Sequence, residues 1–191
     1  MPCWFLLTAV LLFAMPTDLL LGQEEEEQEA EPKGQADPWG PLKLLVGTWE
    51  GEISGKLGTG KGLRRYRFIL GDRFLESRHV SVRLPQEKSP EGDQHEELGV
   101  FSYDSQQKRL VYREFMKEGV VVRSACEVDG MKVVCTSEAV ESGPGIRARL
   151  TLEISDAYRF TEIYHLGWPG RELEHYFTNR WTRTVRPHDW D

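Results

Sequence analysis

No lysine or arginine precedes Lys33 in this chain of 191 residues. A long hydrophobic run is also missing. The most apolar stretch, Trp4 to Ala14, is too short for a membrane span of roughly 20 residues, and Pro16 and Asp18 interrupt the residues after it. It fits the hydrophobic region of a signal peptide, with Leu20-Leu21-Gly22 before Gln23 as the cleavage site. Residues 1–22 therefore read as a signal, and the expected location is secreted or extracellular, with no stable membrane anchor. An uncleaved anchor is the alternative reading, and the missing positive charge near Met1 departs from the usual signal pattern. Catalytic signatures are absent too: there is no Gly-x-Ser-x-Gly, no phosphate-cradling Walker loop, no His-Glu-x-x-His and no Cys–His pairing. No enzyme and no catalytic residue is expected on that basis.

Residues 23–38 are rich in Glu, with Gln, Ala, Pro and Gly beside it. Such a stretch cannot bury enough apolar surface to order itself. It should be a solvated, disordered acidic spacer; binding of cations or of a basic partner is the alternative reading. Of the 31 acidic residues, Asp18 precedes it and six glutamates (Glu24, Glu25, Glu26, Glu27, Glu29 and Glu31) lie in it, which leaves 24 against 24 lysines and arginines. The body of the protein is thus close to neutral. Nucleic acid, which wants a basic face, is not an expected partner.

Cysteine is scarce. Cys3 falls in the signal, leaving Cys126 and Cys135. An even pair in a secreted chain reads first as a disulfide. Asp129-Gly130 between them marks a hairpin turn. A two-residue loop there would set the cysteines diagonally, whereas a four-residue loop, 129–132, would set them directly opposite, within bridging distance. Two buried thiols are the alternative. No His or third Cys stands at ligand spacing from them, so no metal is expected.

From Gly47 onward the pattern is alternation with period two, broken every eight to twelve residues by turn chemistry. It predicts strands over 47–54, 62–70, 73–84, 95–103, 108–116, 119–128, 132–138, 146–154, 157–166 and 171–184. The connections are too short for the crossover helices of a parallel sheet. A long meander with free edges would aggregate, so closure follows: an all-β, up-and-down antiparallel barrel of about ten strands. Asp37 to Leu45 should form a short helical plug ahead of the first strand, with Trp39, Leu42 and Leu45 on one face. The barrel is expected over 39–186, with 187–191 as a C-terminal tail.

Leu45-Val-Gly-Thr-Trp-Glu-Gly-Glu-Ile53 carries a Gly-x-Trp at the start of the first strand. It resembles the opening of the calycins: lipocalins, fatty-acid-binding proteins and nitrobindin-like barrels. Ten strands resemble the fatty-acid-binding-protein type, and the short first connection has no room for that family's helical lid. With Leu70-Gly-Asp-Arg-Phe-Leu-Glu76 and Gly99-Val-Phe-Ser-Tyr-Asp104, the chain most resembles a largely uncharacterised group of secreted and bacterial barrels and, more distantly, nitrobindin, over residues 42–184. The resemblance implies that Trp49 lies inside with an arginine of the last strand packed over it. Arg183 shares a face with His175, Phe177 and Trp181, and Arg180 with Tyr176 and Thr178; the first face is the more aromatic, so Arg183 is chosen.

Strand parity selects the interior. It places Tyr66, Phe68 and Leu70; Phe74, Glu76, Arg78 and Val80; Leu110, Tyr112 and Glu114; Ile146, Ala148, Leu150 and Leu152; and Phe160, Glu162 and Tyr164 inside. Leu75, His79 and Ser81 compete with the Phe74 face, and Val111 and Phe115 with the Tyr112 face. A mixed apolar and polar lining is what a ligand cavity looks like. The expected function is binding of a small amphipathic or hydrophobic molecule, with Tyr66, Arg78, Tyr112, Glu162, Tyr164 and His175 as candidate ligand-binding residues. Arg78 with Tyr164 or Tyr112 would orient a polar end. A filled barrel with internal ion pairs and water is the alternative, giving a structural or interaction protein. No cofactor is expected outright. The nitrobindin resemblance implies haem, with His175 as axial ligand on the last strand, although Arg183 follows it by eight residues where seven is the family's spacing. His95-Glu-Glu-Leu-Gly99 also resembles a nitrobindin stretch. An acid–base pair would require Glu76, Glu114 and Glu162 to converge.

Overall fold

The chain reverses at nearly every point where the alternation breaks. The computed structural model describes residues 37–141 and 143–185. The expected signal, the acidic segment up to residue 36 and the C-terminal tail lie outside the described residues. Ten strands follow one another: β1 (Gly47–Gly55), β2 (Gly58–Ile69), β3 (Phe74–Arg83), β4 (Asp93–Asp104), β5 (Arg109–Met116), β6 (Val121–Asp129), β7 (Lys132–Glu141), β8 (Arg147–Ile154), β9 (Arg159–Gly167) and β10 (Glu174–Thr184). Each pairs antiparallel with the strand before it, and β1 also pairs with β10, which closes the barrel. Closure satisfies the backbone groups that a free edge would expose. Among the described residues no helix is long and apolar enough to cross a membrane.

Ahead of β1, Gly40–Leu45 forms a single 3-10 helix with Pro41 in its first turn. Leu42 and Leu45 are fully buried against the barrel, and Trp39 meets the Phe68 ring edge-on at 5.2 Å. This plug seals one end. Trp49 lies beneath it, donating its indole N–H to the Leu45 carbonyl at 2.7 Å and meeting Phe160 edge-on at 4.8 Å. The Arg183 guanidinium sits 4.3 Å from the centre of the Trp49 ring. Its Nη1 and Nη2 donate to the carbonyls of Val46 (2.6 Å) and Leu44 (2.5 Å), so one arginine ties the plug to the last strand. Gly47 has φ +132°, and a side chain there would collide with the Arg183 guanidinium.

Cys126 stands directly opposite Cys135 in the β6–β7 hairpin, and the two are joined in a disulfide. The register is the one expected from a 129–132 loop, tightened by pairing of Asp129 with Lys132, so the turn falls on Gly130-Met131. The closed loop is short, and its entropy suggests about 2–3 kcal/mol of stabilisation.

Three inward assignments are corrected. Leu70, placed inside with Tyr66 and Phe68, is 74 % exposed in the turn after β2, where its φ is +53°. On β3 the inner face is Leu75, Ser77, His79, Ser81 and Arg83, not the Phe74 face. Glu76 and Arg78 lie on the outer wall. There Glu76 accepts from Arg67 Nε at 2.8 Å and pairs with Arg78 Nε at 3.5 Å, while the Arg78 side chain is 41 % exposed. Hydrophobicity misled the assignment: Val82 is 44 % exposed outside, and small polar residues face in because they surround a buried arginine. On β10 the ladder slips between His175 and Phe177. The extra residue, Tyr176, breaks the alternation, as a bulge does. His175 is thereby exposed, with its Nε2 2.8 Å from the Thr178 hydroxyl.

Candidate functional site

Away from the plug, the barrel interior holds a cavity of about 460 Å³. Its apolar wall comes chiefly from Val120, Val122, Val140, Ile146, Leu166 and Phe177. Its floor is polar and includes His95, Glu97, Glu114 and Tyr164. A larger depression of about 700 Å³ lies over β1, β9 and β10, but it opens to solvent among Glu50, Glu52, Lys61, Arg159 and Arg180. The interior cavity is the better candidate, because polar groups converge there at the bottom of an apolar funnel.

Arg64 organises the floor. It is fully buried two residues before Tyr66 on β2, on the same inner face. Its Nη2 lies 3.1 Å from Glu162 Oε1 and 3.6 Å from Glu97 Oε1, and its Nη1 donates to the Tyr66 hydroxyl at 3.2 Å and the Ser77 hydroxyl at 3.3 Å. The guanidinium carbon is 5.3 Å from the centre of the Trp181 ring. Glu162 Oε2 also accepts from Asn179 Nδ2 at 2.9 Å and Trp181 Nε1 at 3.0 Å. Burial alone would lower the Arg64 pKa, but Glu162, Tyr66, Glu97 and Tyr112 outweigh it and hold the guanidinium firmly charged.

Glu97 and Glu114 are driven apart. Burial opposes ionisation of Glu97, yet Arg64, His79 and His95 hold its carboxyl well below the usual range. Tyr112 adds a hydrogen bond to Glu97 Oε1 at 3.1 Å. Tyr112 reaches that oxygen because Gly99 leaves the space beside its phenol, where a side chain would overlap the ring. Glu114 is pushed well up by burial first, and then by the carboxylates of Glu97 and Glu162. It therefore holds its proton more tightly than a free glutamate does. Burial likewise raises Tyr66, to about 12, and raises Tyr164.

This raised carboxyl has a pH signature. From its unfolded value of 4.5 upward, the folded protein keeps a Glu114 proton that the unfolded chain has released. Stability should therefore fall as pH rises above 4.5 until folded Glu114 itself ionises. Glu97 has the opposite sign: its contribution is present above 4.5 and lost as pH falls below it. Glu114→Gln should remove the first decline, so its stability relative to the wild type should grow with pH by up to about 1.4 kcal/mol per unit. Urea titrations between about pH 5 and 7 measure it, and parallel profiles for the two proteins would refute it.

Of the candidate ligand-binding residues, Tyr66, Tyr112, Glu162 and Tyr164 are brought together around Arg64 and the cavity floor. Tyr164 stacks on Phe177 with ring centres 5.0 Å apart. Arg78 and His175 are not brought there. A haem held on His175 does not fit this arrangement, because the imidazole is outside the wall. Glu76, being outside, cannot join Glu114 and Glu162 in an acid–base set. Arg64, Glu97 and His79 went unselected from the sequence. Arg64 had one usable signal, its shared parity with Tyr66 and Phe68.

No protein-family model matches the chain, and no curated protein matches it. Solved structures do. The crystal structure of Rv2717c from M. tuberculosis is 14% identical with a TM-score of 0.55, covering 79% of this chain and 99% of that one. The structure of EF1p2_mFAP2b bound to DFHBI is 11% identical with a TM-score of 0.42, covering 78% of this chain and 100% of its own. A de novo designed fluorescence-activating β-barrel is 12% identical with a TM-score of 0.39, at the same coverages. The likeness to Rv2717c is one of fold: a closed ten-stranded antiparallel barrel.

Proposed function

We propose that this is a secreted, non-enzymatic binding protein that holds one small amphipathic molecule inside its barrel. The observation that carries this reading is the cavity of about 460 Å³, with an apolar funnel above a polar floor. The disulfide and the apolar N-terminal stretch support the compartment. The chemistry of the floor selects the head group. Arg64 is already engaged by Glu162 and Glu97, and Arg83 by Asp93 at 2.9 Å. An incoming carboxylate would meet the carboxylate of Glu97, and both of these arginines are already committed. A hydroxyl or amine can donate to Glu97 and exchange hydrogen bonds with Glu114 and Tyr164.

A fluorescent aliphatic probe should bind the full chain at one per molecule. A long-chain alcohol or amine should displace it at least about tenfold better than the fatty acid of equal length, the scale of a charged hydrogen bond of roughly 1.5–3 kcal/mol. Val122→Phe, which fills the funnel, should abolish probe binding. Equal or better displacement by the fatty acid would overturn the head-group assignment. Unchanged binding in Val122→Phe would move the site out of the barrel.

A further inference from the structure

His79 is 4 % exposed, and neither of its ring nitrogens makes a hydrogen bond. A buried imidazole left this way is costly. Its Nδ1 points at Glu97 Oε2, 3.7 Å away, too far for a hydrogen bond. His95 brings Nε2 to 3.8 Å from the same oxygen. The β3–β4 register creates this meeting: it pairs His79 with Glu97 and Ser81 with His95, so all three side chains share the inner face. One donor atom from each lies within 4.8 Å of the others.

We infer that His79, His95 and Glu97 form a mononuclear site for a divalent transition metal of the zinc type, with its remaining coordination position open to the cavity. Two imidazoles and one carboxylate are a donor set for such an ion rather than for magnesium or calcium, which take oxygen. Bonds of 2.0–2.1 Å in a tetrahedron place ligand atoms about 3.3 Å apart. The separations of 3.7 and 3.8 Å to Glu97 Oε2 exceed that by a few tenths of an ångström, and the donor atoms of the two imidazoles lie within 4.8 Å of each other.

The surroundings are arranged for it. Glu97 Oε1 is held by Tyr112 and Arg64, which leaves Oε2 facing the two imidazoles. His95 Nδ1 lies 3.4 Å from Glu118 Oε1, the outer carboxylate that commonly orients a metal-binding histidine and leaves the other nitrogen's lone pair for the ion. His95 and Glu97 both line the cavity, so an ion there is reachable from it. The site goes beyond the ligand-binding reading and does not depend on it, because it takes the metal alone.

The full chain, stripped with chelator, is titrated with Zn2+ by calorimetry and with Co2+ by visible absorption. One ion should bind per chain, with the intense d–d bands of a low-coordinate Co2+ site, and zinc should raise the melting temperature. His95→Gln should weaken binding at least 100-fold, and Glu118→Gln about tenfold. Glu118 is half-exposed at the rim and His95 partly so, so both variants should fold, and near-ultraviolet circular dichroism checks this. His165 and His175 face each other at 5.8 Å outside the site, and His165→Asn/His175→Asn should leave zinc binding unchanged. Absence of saturable binding would overturn the site. So would binding that survives folded His95→Gln, or binding that disappears in the His165/His175 variant. Probe binding in the presence and absence of zinc separates the two proposals: a protein that binds the probe but no metal retains the ligand reading alone.

Discussion

Trp49→Ala should cost the barrel about 3–5 kcal/mol, the range for truncating a fully buried large aromatic. The indole joins three elements at the sealed end. Its N–H satisfies the last carbonyl of the 3-10 helix at Leu45, its edge packs on Phe160 of β9, and its face carries Arg183 of β10. Alanine leaves a cavity, an unsatisfied carbonyl and a guanidinium without its ring. Trp49→Phe keeps most of the packing and should fall well short of that loss. Urea denaturation of the three proteins measures the effect. A cost of under about 1 kcal/mol for alanine, the scale of a surface substitution, would show that the plug is not fastened through Trp49.

The second large effect is expected at Arg64. Arg64→Met keeps an unbranched apolar stem but leaves Glu162 and Glu97 buried without their cation. Breaking a buried pair in this way costs about 3–5 kcal/mol. The loss belongs to the stranded carboxylates rather than to the missing arginine, and a second variant tests that. Arg64→Met combined with Glu162→Gln and Glu97→Gln should recover much of the stability, because no unpaired charge remains. Failure of the triple variant to recover would place the cost in packing against Trp181 and Tyr66 instead. A neutral outcome for Arg64→Met alone would mean that water reaches the floor and screens the carboxylates.

The two residues, Trp49 and Arg64, stand opposite each other in the β1–β2 ladder, yet the sequence spoke differently about them. The Gly-x-Trp opening, the ten strands and their hairpin connections could all be read in the chain, because alternation and turn chemistry are local. That an arginine of the last strand covers Trp49 was implied by the calycin resemblance, and the aromatic-rich face then chose Arg183 over Arg180. The Cys126–Cys135 bridge followed from spacing and a turn signal. At the floor, local pattern pointed the wrong way. The inner face of β3 is Leu75, Ser77, His79 and Ser81, less hydrophobic than a rule of apolar-inward would choose, and that rule took Arg78 and Glu76 in their place. The small serines make sense only once Arg64, from the neighbouring strand, is seen to need the space and the hydroxyl of Ser77.

By itself, then, the sequence determined the architecture: one closed antiparallel barrel, plugged at the Trp49 end and stapled at the β6–β7 hairpin. Those features depend on residues close in the chain or on a periodicity that survives without coordinates. Only the tertiary structure decided the site. The slip after His175 turned a candidate ligand outward, and the β3–β4 register brought His79, His95 and Glu97 to one point. Which polar side chains face in is set by how charges pair across strands. That pairing rests on register, and a single-residue slip reverses every side chain beyond it.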